Sequence, residues 1–324
     1  MLIPLTTVII GFAILVWSAD IFVAGAASIA ENAGLSPVLI GLTIVSLGTS
    51  APEILVSVTA ALADSGGLAI GNAVGSNIAN IGLVLGLTLL IAPLQAHPGC
   101  MKTEIPTLLV VTAGTGLLLL DVELERSDAI LMITALVLIL AQMVRSQTKD
   151  PDMTEHVEEE ELPHLKPFKA WIAFAIGLAL LIGSSKLLVW GASEIAMQLG
   201  VAELVIGLTI VAVGTSLPEL AATVASALRG HSEIAMGNIV GSNLFNLLAV
   251  MAMPGLLAPE QLPENFLARD YGAMCVATLF LAAAVYMGRR SKKAEPKHSY
   301  LGRGLGTLLC VGYGLYYYLL FQTL

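Results

Sequence analysis

Gly41–Leu62 reads GLTIVSLGTSAPEILVSVTAAL, and Gly207–Leu228 reads GLTIVAVGTSLPELAATVASAL. A shift of 166 residues superposes the two without a gap, with 13 of 22 positions identical. The same shift lays Gly71–Asn80 (GNAVGSNIAN) over Gly237–Asn246 (GNIVGSNLFN), with 7 of 10 identical. One offset that holds across two separated blocks identifies an internal duplication. Each copy places a single glutamate, Glu53 or Glu219, deep in an apolar run beside Gly, Thr, Ser and Pro.

Composition sets the solvent. Of 324 residues, 56% are hydrophobic and 12% charged, about half the charged share of a soluble domain. Apolar windows of bilayer length recur along the chain, so an all-α polytopic membrane protein is expected. Ten spans can be drawn, at about 4–30, 37–63, 69–93, 104–120, 127–145, 170–197, 203–228, 233–257, 270–288 and 301–322, the fourth being the shortest. The opening residues MLIPLTT carry no Lys or Arg, and no removable signal peptide is read there. Cys100, Cys275 and Cys310 have no CxxC spacing and no counterparts in the other copy, which suits ordinary packing.

The longest polar connection, 146–169, is rich in Pro, Asp and Glu, and includes the acidic run EHVEEEEL at 155–162. It divides the chain into a first five-helix repeat (1–145), an acidic linker (146–169) and a second five-helix repeat (170–324). The run lacks the ligand spacing and glycine of an EF-hand and reads as a solvated linker. With the N-terminus outside, twelve of the fifteen Lys and Arg fall in cytoplasmic connections. Two, Arg126 and Arg269, fall outside, and Lys186 lies within a span. That bias places both termini outside and the linker in the cytoplasm of a plasma (inner) membrane protein. The basic cluster Arg289–Lys297 then serves as a topology determinant beside anionic lipid. Equivalent residues are five spans apart, an odd number, so the two halves run in opposite directions, an arrangement common in secondary transporters.

The repeated block carries the chemistry. Pro52 has no N–H and its ring clashes with the carbonyl four residues back, so the helix should open near Gly48 and free carbonyls around Ser46–Thr49. Unpaired carbonyls in lipid are costly unless something binds them. The Glu53 carboxylate should lie over that opened turn, and Ser50 adds a hydroxyl. Gly214, Thr215, Ser216, Pro218 and Glu219 repeat the arrangement. Asn72, Ser76 and Asn80 form a polar stripe at helical spacing, as do Asn238, Ser242 and Asn246. The pooled donors are hard oxygens without imidazole or thiolate, which suits Ca²⁺ or Na⁺ rather than zinc or copper. Two carboxylates balance one Ca²⁺ or two Na⁺. A third Na⁺ would make exchange voltage-sensitive by about 2.3 kcal/mol per charge per 100 mV. Without a cation both glutamates would not stay ionised, so protons are expected to compete.

These blocks resemble the two α-repeats of the sodium/calcium exchanger (cation/Ca²⁺ antiporter) superfamily in its compact prokaryotic form, over essentially the whole chain. The resemblance implies a ten-helix inverted repeat in which Glu53 and Glu219, with the carbonyls of Thr49 and Thr215, hold Ca²⁺. It implies Na⁺ sites that share those glutamates with Ser50, Ser216, Ser76, Ser242 and the carbonyls near Ser46 and Ala212. Asn80 and Asn246 belong at the centre. Some members have Asp where this chain has Asn246, and the missing carboxylate bears on cation count and potassium dependence. The resemblance further implies that spans 4–30 and 170–197 slide to alternate access.

Other readings stay in view. GNAVG and GNIVG are also GxxxG packing patterns, serines can bond back to their own helix, and Asn72 and Asn238 can act as interhelical glue. Asp20 and Lys186, equivalent and opposite in charge, are either an ion pair or separate water-facing groups. The leading function is Ca²⁺ exchange against Na⁺; Ca²⁺/H⁺ or other divalent cation/H⁺ exchange is the alternative, and a cation channel is less favoured. GTSxPE is not a GxSxG elbow, and GNAVGSN has no phosphate-loop Lys, so neither an enzyme nor an ATP-driven pump is expected. Transported ions and membrane lipid are the expected partners, with no cofactor, nucleotide or nucleic acid.

Overall fold

The computed structural model describes residues 2–63, 66–147, 165–200, 212–262 and 265–323. Its elements are overwhelmingly helical: α1 (Leu2–Ala33), α2 (Pro37–Thr49), α3 (Ala51–Leu62), α4 (Gly66–Ile91), α5 (Cys100–Asp121) and α6 (Arg126–Gln147). After the linker come α7 (Pro167–Gln198), α8 (Ala212–Thr215), α9 (Leu217–Leu228), α10 (Ser232–Leu257), α11 (Leu267–Gly288) and α12 (Arg303–Thr323). Seven are long and apolar enough to cross a membrane, and the bent pair α2–α3 makes an eighth span among the described residues. The acidic run and the first third of the expected seventh span, 203–211, lie outside the described residues. The short fourth span is a full helix, α5.

Sequence periodicity did not show the two short ladders. β1 (Leu94–Ala96) pairs antiparallel with β4 (Ser299–Leu301), and β2 (Glu123–Leu124) with β3 (Glu260–Gln261). Nor did it show the π-helical turns at Gly41–Val45, Asn80–Leu85 and Asn246–Val250. Such turns widen a helix by one residue and favour functional positions. Two of them begin at the asparagines expected at the centre.

α1 and α7 are 32 residues each, about 48 Å at 1.5 Å per residue, and they pack antiparallel. A β-carbon on Gly25 would meet Phe174 and Ala170; one on Gly191 would meet Val8 and Pro4. Each residue of the second set is the 166-residue equivalent of one in the first. Gly11 against Leu188 and Gly177 against Phe22 complete the reciprocity. Elsewhere α1 shows Ile3, Ile9, Phe12 and Trp17 outward, as a lipid-facing surface would.

The GxxxG glycines divide. Gly237 and Gly241 pack on α2, where added β-carbons would meet the Val38 carbonyl, Gly41 and the Ser46 side chain. Gly71 and Gly75 have no described atom within 4 Å, and their counterpart partner near Gly207 lies outside the described residues. Asp20 bonds Arg229 (Nε–Oδ1 3.0 Å) at the end of α9, while Lys186 is exposed. The ion pair suggested with Lys186 is therefore replaced by one with Arg229.

At the end of the molecule formed by β1 and β4, His97 Nε2 lies 2.9 Å from Glu104 Oε1, both side chains buried. Burial opposes a charged imidazole, but Glu104 and, less strongly, Glu233 outweigh it, holding His97 above its ordinary value. A raised folded value means a stability contribution complete below the unfolded value and lost as pH climbs through the folded one. Wild-type protein should lose a few degrees of melting midpoint as pH rises above the ordinary histidine value of about 6.5, and His97→Gln should flatten that slope. An unchanged slope in the variant would assign it to other groups.

Candidate cation site

The two prolines build the site from the backbone up. Pro52 and Pro218 sit in the first turn of α3 and α9, where a missing N–H costs least. The chain breaks two residues earlier, at Ser50 and Ser216, and α2 and α3 meet at 43°. The break puts Glu53 and Glu219 in the first turn of a new helix, whose N-terminal dipole favours negative charge. The carbonyl each proline leaves without its helical partner is that of Gly48 or Gly214. The Ser46 carbonyl, by contrast, still accepts the Ser50 N–H at 2.9 Å, and the Ser46 hydroxyl is bonded to Leu42 O at 2.7 Å. The opening is therefore narrower than the sequence suggested.

Ser46, Thr49, Ser50, Glu53, Ser76, Asn80, Ser216, Glu219, Ser242 and Asn246 are all at most 4% exposed. Thr215 is half-buried in α8, which Ala212 begins. Side chains of the two halves interlock. Ser50 donates to Glu219 Oε1 at 3.1 Å, and Thr49 donates to Asn238 Oδ1 at 3.2 Å. The π-turn opened by Asn246 packs against α3, which carries Glu53, and the one opened by Asn80 packs against α9, which carries Glu219. Ser57 of α3 closes the first contact by donating to Val250 O at 2.8 Å.

Asn72 and Asn238 take equivalent supporting roles: each amide reaches the backbone carbonyl of its own half's glutamate, at 3.1 Å to Glu53 O and 3.4 Å to Glu219 O. Asn238 also donates to Thr223 Oγ1 at 2.9 Å. The motif reading missed Asn77 and Asn243, which are buried and equivalent. Their signal was present in the shared GSN triplet, but they fall off the helical stripe that was followed.

The remaining polar atoms point to a ligand. Both Glu53 oxygens, Glu219 Oε2, Ser216 Oγ, Ser242 Oγ and both amide atoms of Asn80 and Asn246 are buried without a hydrogen-bond partner among the described residues. Buried polar groups are ordinarily satisfied, and an orphan costs about 1–3 kcal/mol, more for a charged group. A cluster of such atoms in an ordered core is explained by something that takes oxygen donors. Among the described residues no group of three or more His, Cys, Asp or Glu is placed to hold a metal ion. A cation here would be held by two carboxylates and neutral oxygens, the ligand chemistry of Ca²⁺ and Na⁺.

A family profile described as "Sodium/calcium exchanger protein" matches residues 3–144 and 169–322. The chain belongs to the sodium/calcium exchanger family. Its members are membrane transporters rather than catalysts, and the helices found here make this chain an integral membrane protein. The chain is 44% identical to the "Putative antiporter CaxA" of Alkalimonas amylolytica, covering 100% of both chains. It is 36% identical to "Inner membrane protein YrbG" of Escherichia coli K12, over 97% of this chain and 95% of that one. With "Sodium/calcium exchanger MaX1" of Methanosarcina acetivorans it shares 29% identity, over 89% and 92%. Among solved structures, the sodium-calcium exchanger NCX_Mj soaked with Na⁺ and Ca²⁺ superposes with a TM-score of 0.80, at 28% identity over 97% of each chain.

Proposed function

We propose that this member of the exchanger family is a secondary antiporter that moves Ca²⁺ against Na⁺ by alternating access at one mid-membrane site. The cluster of buried, unpartnered oxygens around Glu53 and Glu219 carries the reading. Ca²⁺ is held by the two carboxylates with Thr49 and Thr215. Na⁺ uses the same carboxylates with Ser50, Ser216, Ser76, Ser242 and the backbone around Ser46 and Ala212, and Asn80 and Asn246 line the centre. Two negative charges balance one Ca²⁺ or two Na⁺, so the two cargoes compete for one set of ligands.

The architecture behind the reading is ten spans in two inverted halves, 1–145 and 170–324, joined by the linker 146–169. The antiparallel, reciprocal packing of α1 on α7 supports it, as does a family match in two blocks on either side of the linker. The Lys and Arg bias supports both termini outside and the linker inside. Ser50 and Ser216 beside the glutamates favour Na⁺ as the coupling ion.

Ca²⁺/H⁺ exchange is the second reading, and one observation favours it. Position 246 is Asn, so only the two glutamates supply charge, and either can take a proton when the cation leaves. Radiolabelled Ca²⁺ uptake into proteoliposomes under an imposed Na⁺ or H⁺ gradient separates the two. Uptake driven by Na⁺ is expected; uptake driven by protons alone would install the second reading, and a gradient-independent leak would mean a channel.

A further inference from the structure

The break between α8 and α9 is held from outside the repeated block. Pro218 brings no N–H to Gly214 O, and in the membrane interior that carbonyl needs another donor. Ser185 of α7 supplies it: its hydroxyl donates to Gly214 O at 2.7 Å. Ser185 is 5% exposed, so water does not compete for the bond. α7 also lies close at the same point, since a β-carbon on Gly214 would run into the Val189 side chain.

Among the described residues the first half shows no such device. The residue equivalent to Ser185 is Ala19, which has nothing to donate. Gly48, the equivalent of Gly214, instead faces Leu178 at an apolar cavity lined by Leu47, Ala51, Trp171 and Phe174. Among the described residues no side chain donates to Gly48 O. Among the described residues the two equivalent half-sites are thus held differently.

We propose that Ser185 is a positioning residue for the second half-site: it pins the turn Ala212–Thr215 to α7 and so sets where Thr215, Ser216 and Glu219 present their oxygens. The inference rests on reading the centre as a cation site. Without the hydroxyl, the Gly214 carbonyl must turn to find another partner, and the turn moves with it. No ion ligand is removed, so affinity should suffer through geometry alone.

The test is labelled Ca²⁺/Ca²⁺ self-exchange in proteoliposomes, which needs no assumption about the coupling ion, together with Ca²⁺-dependent thermal stabilisation in detergent. Ser185→Ala should raise the half-saturating Ca²⁺ concentration about fivefold, equivalent to about 1 kcal/mol for one net hydrogen bond, with a smaller change in maximal rate. Ser185→Thr, which keeps the hydroxyl, should restore wild-type affinity. Ser185→Cys, a weak donor of similar size, should fall between and serves if the alanine variant does not fold. Ser184→Ala is the control, because that hydroxyl bonds back to Leu181 O within its own helix at 3.1 Å. Wild-type affinity in both Ser185→Ala and Ser185→Cys, equal losses in Ser184→Ala, or failure of threonine to rescue would overturn the role of Ser185. Wild-type protein that neither binds nor exchanges Ca²⁺ would instead overturn the cation-site reading.

Discussion

Glu53→Gln and Glu219→Gln should each cut gradient-driven Ca²⁺ uptake by at least about a hundredfold while leaving the protein folded. Each change removes a unit charge from a fully buried site with no compensating acid among the described residues. Removing one partner of a buried charge pair costs about 3–5 kcal/mol, and each 1.4 kcal/mol is tenfold in affinity. Glutamine keeps the volume and the hydrogen-bonding reach. In the cation-free protein it also removes the cost of burying a carboxyl that must either stay charged or take up a proton, so the variants should melt higher than wild type in chelator and gain nothing from added Ca²⁺. This opposite movement of stability and transport separates a lost ligand from a broken fold. Retention of Ca²⁺-dependent stabilisation in either variant would remove that glutamate from the site.

Gly237→Val should be strongly damaging although it replaces no ion ligand. A β-carbon at Gly237 would lie 2.8 Å from Val38 O and 3.1 Å from Gly41 Cα, so it faces backbone that cannot rotate aside. α2 and α10 must then separate. The neighbouring Thr49–Asn238 hydrogen bond spans the same interface and should be lost with it. Overpacking of this kind costs about 1–3 kcal/mol, and a broken buried polar contact adds to it. Loss of both folded yield and Ca²⁺-dependent stabilisation is expected, measured by detergent chromatography and thermal shift. Gly183→Ala, on a stretch of α7 where an added β-carbon meets nothing within 4 Å, should be neutral or slightly stabilising. Equal effects of the two would mean that the α2–α10 crossing is not under steric control.

Much of the local geometry of the candidate site could be read from residue order because its cause is local. Proline lacks an N–H wherever it sits, so Pro52 and Pro218 announced two helix breaks. A carboxylate retained in an apolar run announced a polar purpose at Glu53 and Glu219. The hydroxyl and amide positions followed from helical spacing. What spacing could not give was direction across the interface. Ser50 serves the other half's glutamate, and Thr49 meets Asn238. Asp20 finds Arg229 rather than its repeat-equivalent Lys186.

The π-turns at Asn80 and Asn246 and the bond from Ser185 to Gly214 were illegible for a related reason. A π-turn depends on how a helix is pressed by its neighbours, and no residue pattern distinguishes it from the α-helix around it. Ser185 lies outside both duplicated blocks and differs from Ala19, so a search for likeness between the halves passes over it.

Residue order alone determined that the chain is duplicated, that its helices belong in lipid, and that two glutamates lie beside helix breaks. These follow from composition and covalent structure, which act at short range. Tertiary structure alone decided which oxygens are left without partners among the described residues, and that the two equivalent halves hold their breaks unequally there. Both depend on which side chains from distant segments arrive at one point, and packing sets that only after the helices have formed.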